Sequence, residues 1–295
     1  LLIMLATAFV MLAGVLLCAA ITACAPTTQR VRITNEAAET EARKQRQVAL
    51  QAYLDDQKRL MRVSYPLLTR GADLCGEDLR YITGMALANS STLLGEQFKQ
   101  TAETNYRLGD QVQVVYIVPG SAADKAGVRV GDILLQVGQA PVTVTDEGAD
   151  AVRETLTQLQ TQTRHGQAVR VDVQHAASGK AGKPGQKQSL LITPDRACAY
   201  PIVLGAGDEV NAYADGKQVI VQRGMLRFAN NDTELALVVS HEIAHNSMSH
   251  ISAKMTNYAL GSILDIAAQI FLKIPTQGLF GNAGARAYSQ DFESE

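Results

Sequence analysis

The sequence predicts an α+β protein, in which a mostly helical domain with one small β-hairpin is interrupted by a β-rich insert. Three observations carry that prediction. A helical pattern runs over 35–68 and another follows residue 224. Between them, over 76–194, the texture changes to short β-like runs punctuated by glycine. Two cysteines, Cys75 and Cys198, bracket that stretch. A chain of 295 residues with 46% hydrophobic content can bury two cores. Its net charge of −2, without a basic stripe, excludes nucleic acid as a partner. The absence of Trp and the low aromatic content argue against a stacking platform for bases or sugars.

Residues 1–23 are almost purely apolar and close on Ile21-Thr22-Ala23-Cys24. This resembles a bacterial lipoprotein signal, which implies cleavage before Cys24 and lipidation of its thiol. The run is also long enough for an uncleaved anchor helix, the competing reading. Ala25 stands where an Asp would favour inner-membrane retention, so the resemblance points to the outer membrane. The remaining chain is expected on the periplasmic side of a bacterial cell envelope. In such an oxidising compartment Cys75 and Cys198 are expected to pair. Closing a loop of about 120 residues stabilises by roughly 4–5 kcal/mol in the chain-entropy model. Two separate buried thiols are the alternative.

Over 35–68, Val48, Leu50, Leu54, Leu60, Met61 and Val63 recur among charges of both signs, and Pro66 is expected to disturb the helix. Within the insert, strands are expected over 112–118, 130–137, 169–173 and 189–193, with a Gly/Lys-rich hairpin tip at 178–188. Helices are expected over 122–126 and 150–160. Val118-Pro119-Gly120-Ser121-Ala122-Ala123, followed by Ala126-Gly127-Val128-Arg129-Val130-Gly131-Asp132-Ile133-Leu134, resembles the PDZ domains of bacterial envelope proteases. The physics of the motif is legible: Gly127 ends a short helix, and Gly131-Asp132 turns into a strand. The resemblance implies a peptide added as an extra strand on a sheet edge, beside a helix. It places the chain-end-binding loop at Ile82-Thr83-Gly84-Met85, where Gly84 lets amide groups face a carboxylate. His165 and His175 read as ordinary surface or turn histidines.

After Cys198, residues 208–223 read as a hairpin turning at Asp215-Gly216. A short helix follows over 224–229. Asn230-Asn231-Asp232-Thr233 supplies N-cap candidates for a helix over 234–249. That helix carries Ser240-His241-Glu242-Ile243-Ala244-His245, an HExxH pattern. Residues i and i+4 share a helix face, so His241 and His245 can hold one metal ion, and Glu242 is placed as general base beside it. Catalytic zinc needs a third protein ligand. Ile251 occupies the position where metzincins have a third His. His250, one residue short, reads as structural. Asp291, Glu293 and Glu295 are acidic candidates that spacing does not separate.

Asn211-Ala212-Tyr213-Ala214, Arg223-Gly224-Met225-Leu226, the HExxH helix and Ala287-Tyr288-Ser289…Glu293 resemble the HtpX and CAAX-prenyl-protease-type zinc peptidases, and most of all their periplasmic lipoprotein members. The resemblance implies a mostly helical gluzincin domain holding one Zn2+ per chain on His241, His245 and Glu293, with Glu242 as catalytic base. It implies a further Asp four residues after Glu293, so the domain is expected to continue past Glu295. It makes Val219-Ile220-Val221 the cleft's edge strand, holding an extended substrate. The apolar stretch 258–274, interrupted by Asp265 and Gln269, is expected to flank the cleft and not to contact a membrane.

The resulting plan is a lipoprotein signal or anchor over 1–24, an amphipathic helix of the catalytic region over 25–75, a PDZ domain over 76–196 and a metallopeptidase domain over 197–295. The expected activity is a zinc-dependent endopeptidase acting on unfolded or misassembled envelope proteins, with the PDZ domain recognising substrate or regulating cleavage. Its expected partners are polypeptides, and the membrane through the lipid anchor. The alternative is a PDZ-based adaptor or chaperone-like lipoprotein with a structural or idle zinc site. Glu242 favours the enzyme, since a purely structural site has no use for a general base.

Overall fold

In the computed structural model the described residues are 34–144, 148–176, 185–247, 262–273 and 275. The expectations for Cys24, His250 and Glu293, and for the acidic residues beside Glu293, lie outside them.

A single helix spans Asn35–Arg70 and runs on through Pro66. Proline removes one main-chain bond, the one owed to the Arg62 carbonyl. The turn survives because Leu67 and Leu68, just beyond, are buried in the core. The buried face of this helix changes partner along its length. Leu50 and Leu54 pack against the insert, while Leu60, Val63, Leu67 and Leu68 pack against the C-terminal region.

The chain enters the insert by β1 (Leu79–Ile82) and leaves by β8 (Asp195–Cys198). These pair antiparallel, Leu79 opposite Cys198 and Ile82 opposite Asp195, as a two-stranded stalk. Cys75 and Cys198 form the expected disulfide at its base, with Cα atoms 5.6 Å apart. Beyond the stalk lies a sheet ordered β2 (Met85–Ala88), β3 (Gln113–Ile117), β4 (Ile133–Val137), β6 (Val169–Gln174), β7 (Lys187–Ile192), with β5 (Ala140–Pro141) paired to β4. Val169, Val171 and Val173 alternate into its core beside Val114, Leu134 and Ile192. Helix Gly148–Thr163 lays Ala151 and Val152 against Leu87 of β2. Ser121 caps the short helix Ala122–Lys125, accepting from the Asp124 amide, and Gly127 follows at φ 85°.

Two features of the insert differ from expectation. Residues between β2 and β3 form a short helix, Lys99–Tyr106, and Leu93, Ala102 and Leu108 pack there on Leu50 and Leu54 of the long helix. His165 is exposed, as expected, but His175 is not an ordinary surface residue. Its Nδ1 lies 2.7 Å from Asp132 Oδ1 and its Nε2 2.8 Å from Gln188 Oε1, linking β6, β7 and the turn before β4. The hydrogen bonds to Asp132, then Gln188, hold the imidazole pKa above its ordinary value.

The C-terminal region has a second, three-stranded sheet: β9 (Ile202–Gly205), β10 (Ala212–Ala214) and β11 (Val219–Gln222), in the order β10-β11-β9. β10 and β11 form the expected hairpin, and β9 adds in parallel to β11. Val219-Ile220-Val221 is therefore the central strand and not an edge. Its main chain is paired on both sides, so it has none to offer a substrate. Among the described residues, the outer edges of this sheet are β9 and β10. The helix Asp232–Ser247 packs Leu235, Ala236, Val239, Ile243 and Ala244 onto this sheet and the long helix. Residues 262–272 are helical and bury Ile263 and Ala267 in the same core, in keeping with a flanking helix. No helix among the described residues is long and apolar enough to cross a membrane.

Candidate active site

The helix that bears the HExxH pattern is fixed at its start by its own sequence. Asn231 Oδ1 accepts from the Glu234 amide at 3.0 Å, and the Glu234 carboxylate reaches back to the Asn230 amide at 2.8 Å. This reciprocal arrangement satisfies helix-end donors that would otherwise be orphaned. Asp232, in the first turn, suits the positive end of the helix dipole. It also receives two guanidinium groups from the long helix, Arg59 at 3.1 Å and Arg62 at 2.8 Å. Arg59 goes on to donate to the carbonyls of Leu226 at 2.6 Å and Ala229 at 2.8 Å. The long helix thus holds the start of the HExxH helix. Sequence reasoning missed these arginines, whose i,i+3 spacing on a charged helix gives no sign of a partner 170 residues away.

One helical turn apart, His241 and His245 lie at the protein surface with their Nε2 atoms 3.0 Å apart and their rings edge to face. Two ligand nitrogens each about 2.0–2.1 Å from a tetrahedral zinc lie roughly 3.3 Å apart, so this pair fits a shared metal ion. Glu242 is half-buried on the same turn. Among the described residues no third His, Cys, Asp or Glu completes a metal cluster, and Glu293 lies outside them.

The proposed chain-end loop is distributed over two elements. Ile82 is the last residue of the stalk strand β1, opposite Asp195. Thr83 and Gly84 give their carbonyls to the amides of Ala123 and Val118, and Met85 opens β2 with its side chain in the insert core. Gly84 sits at φ 78°, and a Cβ there would lie 2.3 Å from Ser121 Cβ and 2.7 Å from the Tyr65 ring. Only glycine fits. Tyr65 of the long helix donates its hydroxyl to Asp195 at 2.5 Å and accepts from the Ala122 amide at 3.3 Å, so the long helix also touches the PDZ-like motif. Burial, then Asp195, holds this phenol above its ordinary pKa.

A HExxH helix carrying two convergent imidazoles and a carboxylate against a small sheet defines a metallopeptidase-type domain. Residues 191–290 match the model of peptidase family M48, and residues 113–163 match the PDZ domain model. Residues 191–290 are thus similar to M48 peptidase domains, and residues 113–163 to PDZ domains. It is 31% identical over 94 residues to a β-barrel assembly-enhancing protease of Yersinia pestis, covering 28% of this chain and 18% of that one. It is 35% identical over 68 residues to the protein of the same name from Escherichia coli strain K12, covering 19% of this chain and 14% of that one. The chain thus spans less than a fifth of the length of these relatives. Among solved structures, the HtrA3 PDZ domain bound to a phage-derived ligand aligns with 40% of this chain and 89% of its own, at 14% identity and a TM-score of 0.25.

Proposed function

We propose that the chain is a zinc-dependent endopeptidase of the bacterial cell envelope, lipid-anchored through Cys24 on the periplasmic side, outer membrane favoured over inner. It hydrolyses peptide bonds of unfolded or misassembled proteins. The observation that carries this reading is the 3.0 Å approach of the His241 and His245 Nε2 atoms, with Glu242 on the same helical turn. Glu293 is the proposed third ligand to a single zinc ion. When bound, zinc supplies Lewis acidity, which acidifies the attacking water and polarises the scissile carbonyl. Glu242 takes the proton from that water and delivers it to the leaving amine. His241 and His245 keep their Nε2 lone pairs for the metal, so neither serves as the base. The Yersinia and Escherichia relatives, both named β-barrel assembly-enhancing proteases, support a polypeptide substrate.

A substrate strand is proposed to add to β10, an edge of its sheet among the described residues and packed against the HExxH helix. The PDZ domain is proposed to receive a chain end on β2, which ends its sheet beside helix Gly148–Thr163. Ile82 at the end of β1, Met85 at the start of β2, and Thr83 and Gly84 between them are proposed as the head of that groove.

Glu242→Gln tests the reading. Casein or peptide cleavage falls at least about a hundredfold while zinc content and melting stay at wild-type values. Full zinc occupancy with no cleavage by the wild-type, full-length protein overturns the peptidase and leaves a PDZ-based adaptor.

A further inference from the structure

Asn246 directly follows His245 and is 2% exposed. Its side-chain amide meets the turn of the β10–β11 hairpin with both of its ends. Oδ1 accepts from the Gly216 amide at 2.7 Å, and Nδ2 donates to the Gln218 carbonyl at 3.0 Å. The turn does not need this contact to keep its own shape. Asp215 Oδ1 already accepts from the amides of Lys217 at 2.9 Å and Gln218 at 2.8 Å, and the Asp215 amide donates to the Gln218 carbonyl. Gly216 takes the positive φ of 86° that the turn requires. What Asn246 adds is location: it ties an internally capped turn to the last described turn of the HExxH helix. Behind it, the Tyr200 hydroxyl lies 3.3 Å from the Asn246 carbonyl and 2.7 Å from Asp78, so the residue is also held from the stalk side.

Strand β10 ends at Ala214, one residue before this turn, and its outer edge is unpaired among the described residues. We propose that Asn246 is a positioning residue for peptide-bond cleavage. Its amide fixes the height of β10 along the HExxH helix, so that an extended chain added to β10 presents its scissile bond beside Glu242 and the imidazole pair. This rests on the peptidase reading above. A misplacement of about 1 Å at a reacting centre costs on the order of a hundredfold in rate. A long substrate aligned by β10 feels that displacement, and a short peptide spanning only the scissile bond does not.

The experiment compares Asn246→Ala with the wild-type, full-length protein on a ten-residue peptide and on a four-residue peptide containing the same cleavage site. The expected result is a rise in KM and a fall of about tenfold or more in kcat/KM for the long peptide, with little change for the short one. Amide hydrogen exchange at Gly216 quickens, while zinc content is unchanged. Should alanine impair folding, Asn246→Ser, a neutral side chain whose single hydroxyl cannot serve both Gly216 and Gln218 as the amide does, takes its place and shows the same pattern. Equal losses on both peptides, or unaltered Gly216 exchange, overturn the proposal. A zinc-loaded wild-type protein that cleaves neither peptide overturns the peptidase reading instead, and Gly216 exchange still reports on the clamp.

Discussion

The two cores of this chain are built in opposite ways. The PDZ core draws on one continuous stretch, from Met85 to Ile192, whose strands follow one another along the sheet in nearly their order in the chain. The peptidase core gathers Leu60 to Leu68, Cys198 to Ala244 and Ile263 to Ala267 across the whole insert. A core closed within one stretch brings together segments that are nearer in the chain, whereas one closed across an insert must overcome a larger closure entropy. The second core accordingly carries the covalent and ionic ties: the Cys75–Cys198 disulfide and the Arg59 and Arg62 contacts to Asp232.

Reducing the disulfide, or changing Cys75 and Cys198 to Ser, tests that contrast with the largest expected effect. It destabilises the peptidase core by roughly 2–5 kcal/mol. Amide exchange quickens over 232–247 while 169–174 keep their protection. Equal loss of protection in both regions would break the contrast. Arg59→Ala should act in the same direction with a smaller effect, about 1–3 kcal/mol, because it leaves the carbonyls of the buried Leu226 and Ala229 without that donor. A melt that also loosens the PDZ sheet counts against it.

The smallest expected effect sharpens the comparison from the PDZ side. Asp132 and Gln188 raise the folded-state pKa of His175 above its ordinary 6.5. The stabilisation is therefore fully present below about pH 6.5 and lost as pH rises through the folded value. Protection of β6 should fall across that window, and His175→Gln should flatten the dependence without altering exchange in 232–247. A pH dependence unchanged by the substitution removes His175 as its source.

The same contrast explains which parts were legible in the sequence. The PDZ motif from Val118 to Leu134 was readable because each glycine answers a local demand of helix end or turn. His241, Glu242 and His245 were readable because i,i+4 spacing alone brings the two imidazoles together. The role of Val219-Ile220-Val221 was misread, although its unbroken apolar run is the pattern of a strand buried on both faces. Its parallel partner β9 lies across a connection that leaves no hairpin signal. Residues between β2 and β3, Arg59 and Asn246 were opaque for one reason. Their structure is decided by partners that no local pattern names.

The stalk makes the insert's points of departure and return neighbours, one strand spacing apart and locked by a covalent bond beneath. Such a narrow doorway means that the peptidase region experiences the PDZ domain as a side branch and not as a spacer. A turn of a few residues could bridge the gap, so domains of other sizes could be exchanged at this port without lengthening the path to the HExxH helix. Tyr65, the Leu50–Leu54 face and Gln51, which accepts from the Tyr106 hydroxyl, are then among the contacts a replacement would have to rebuild.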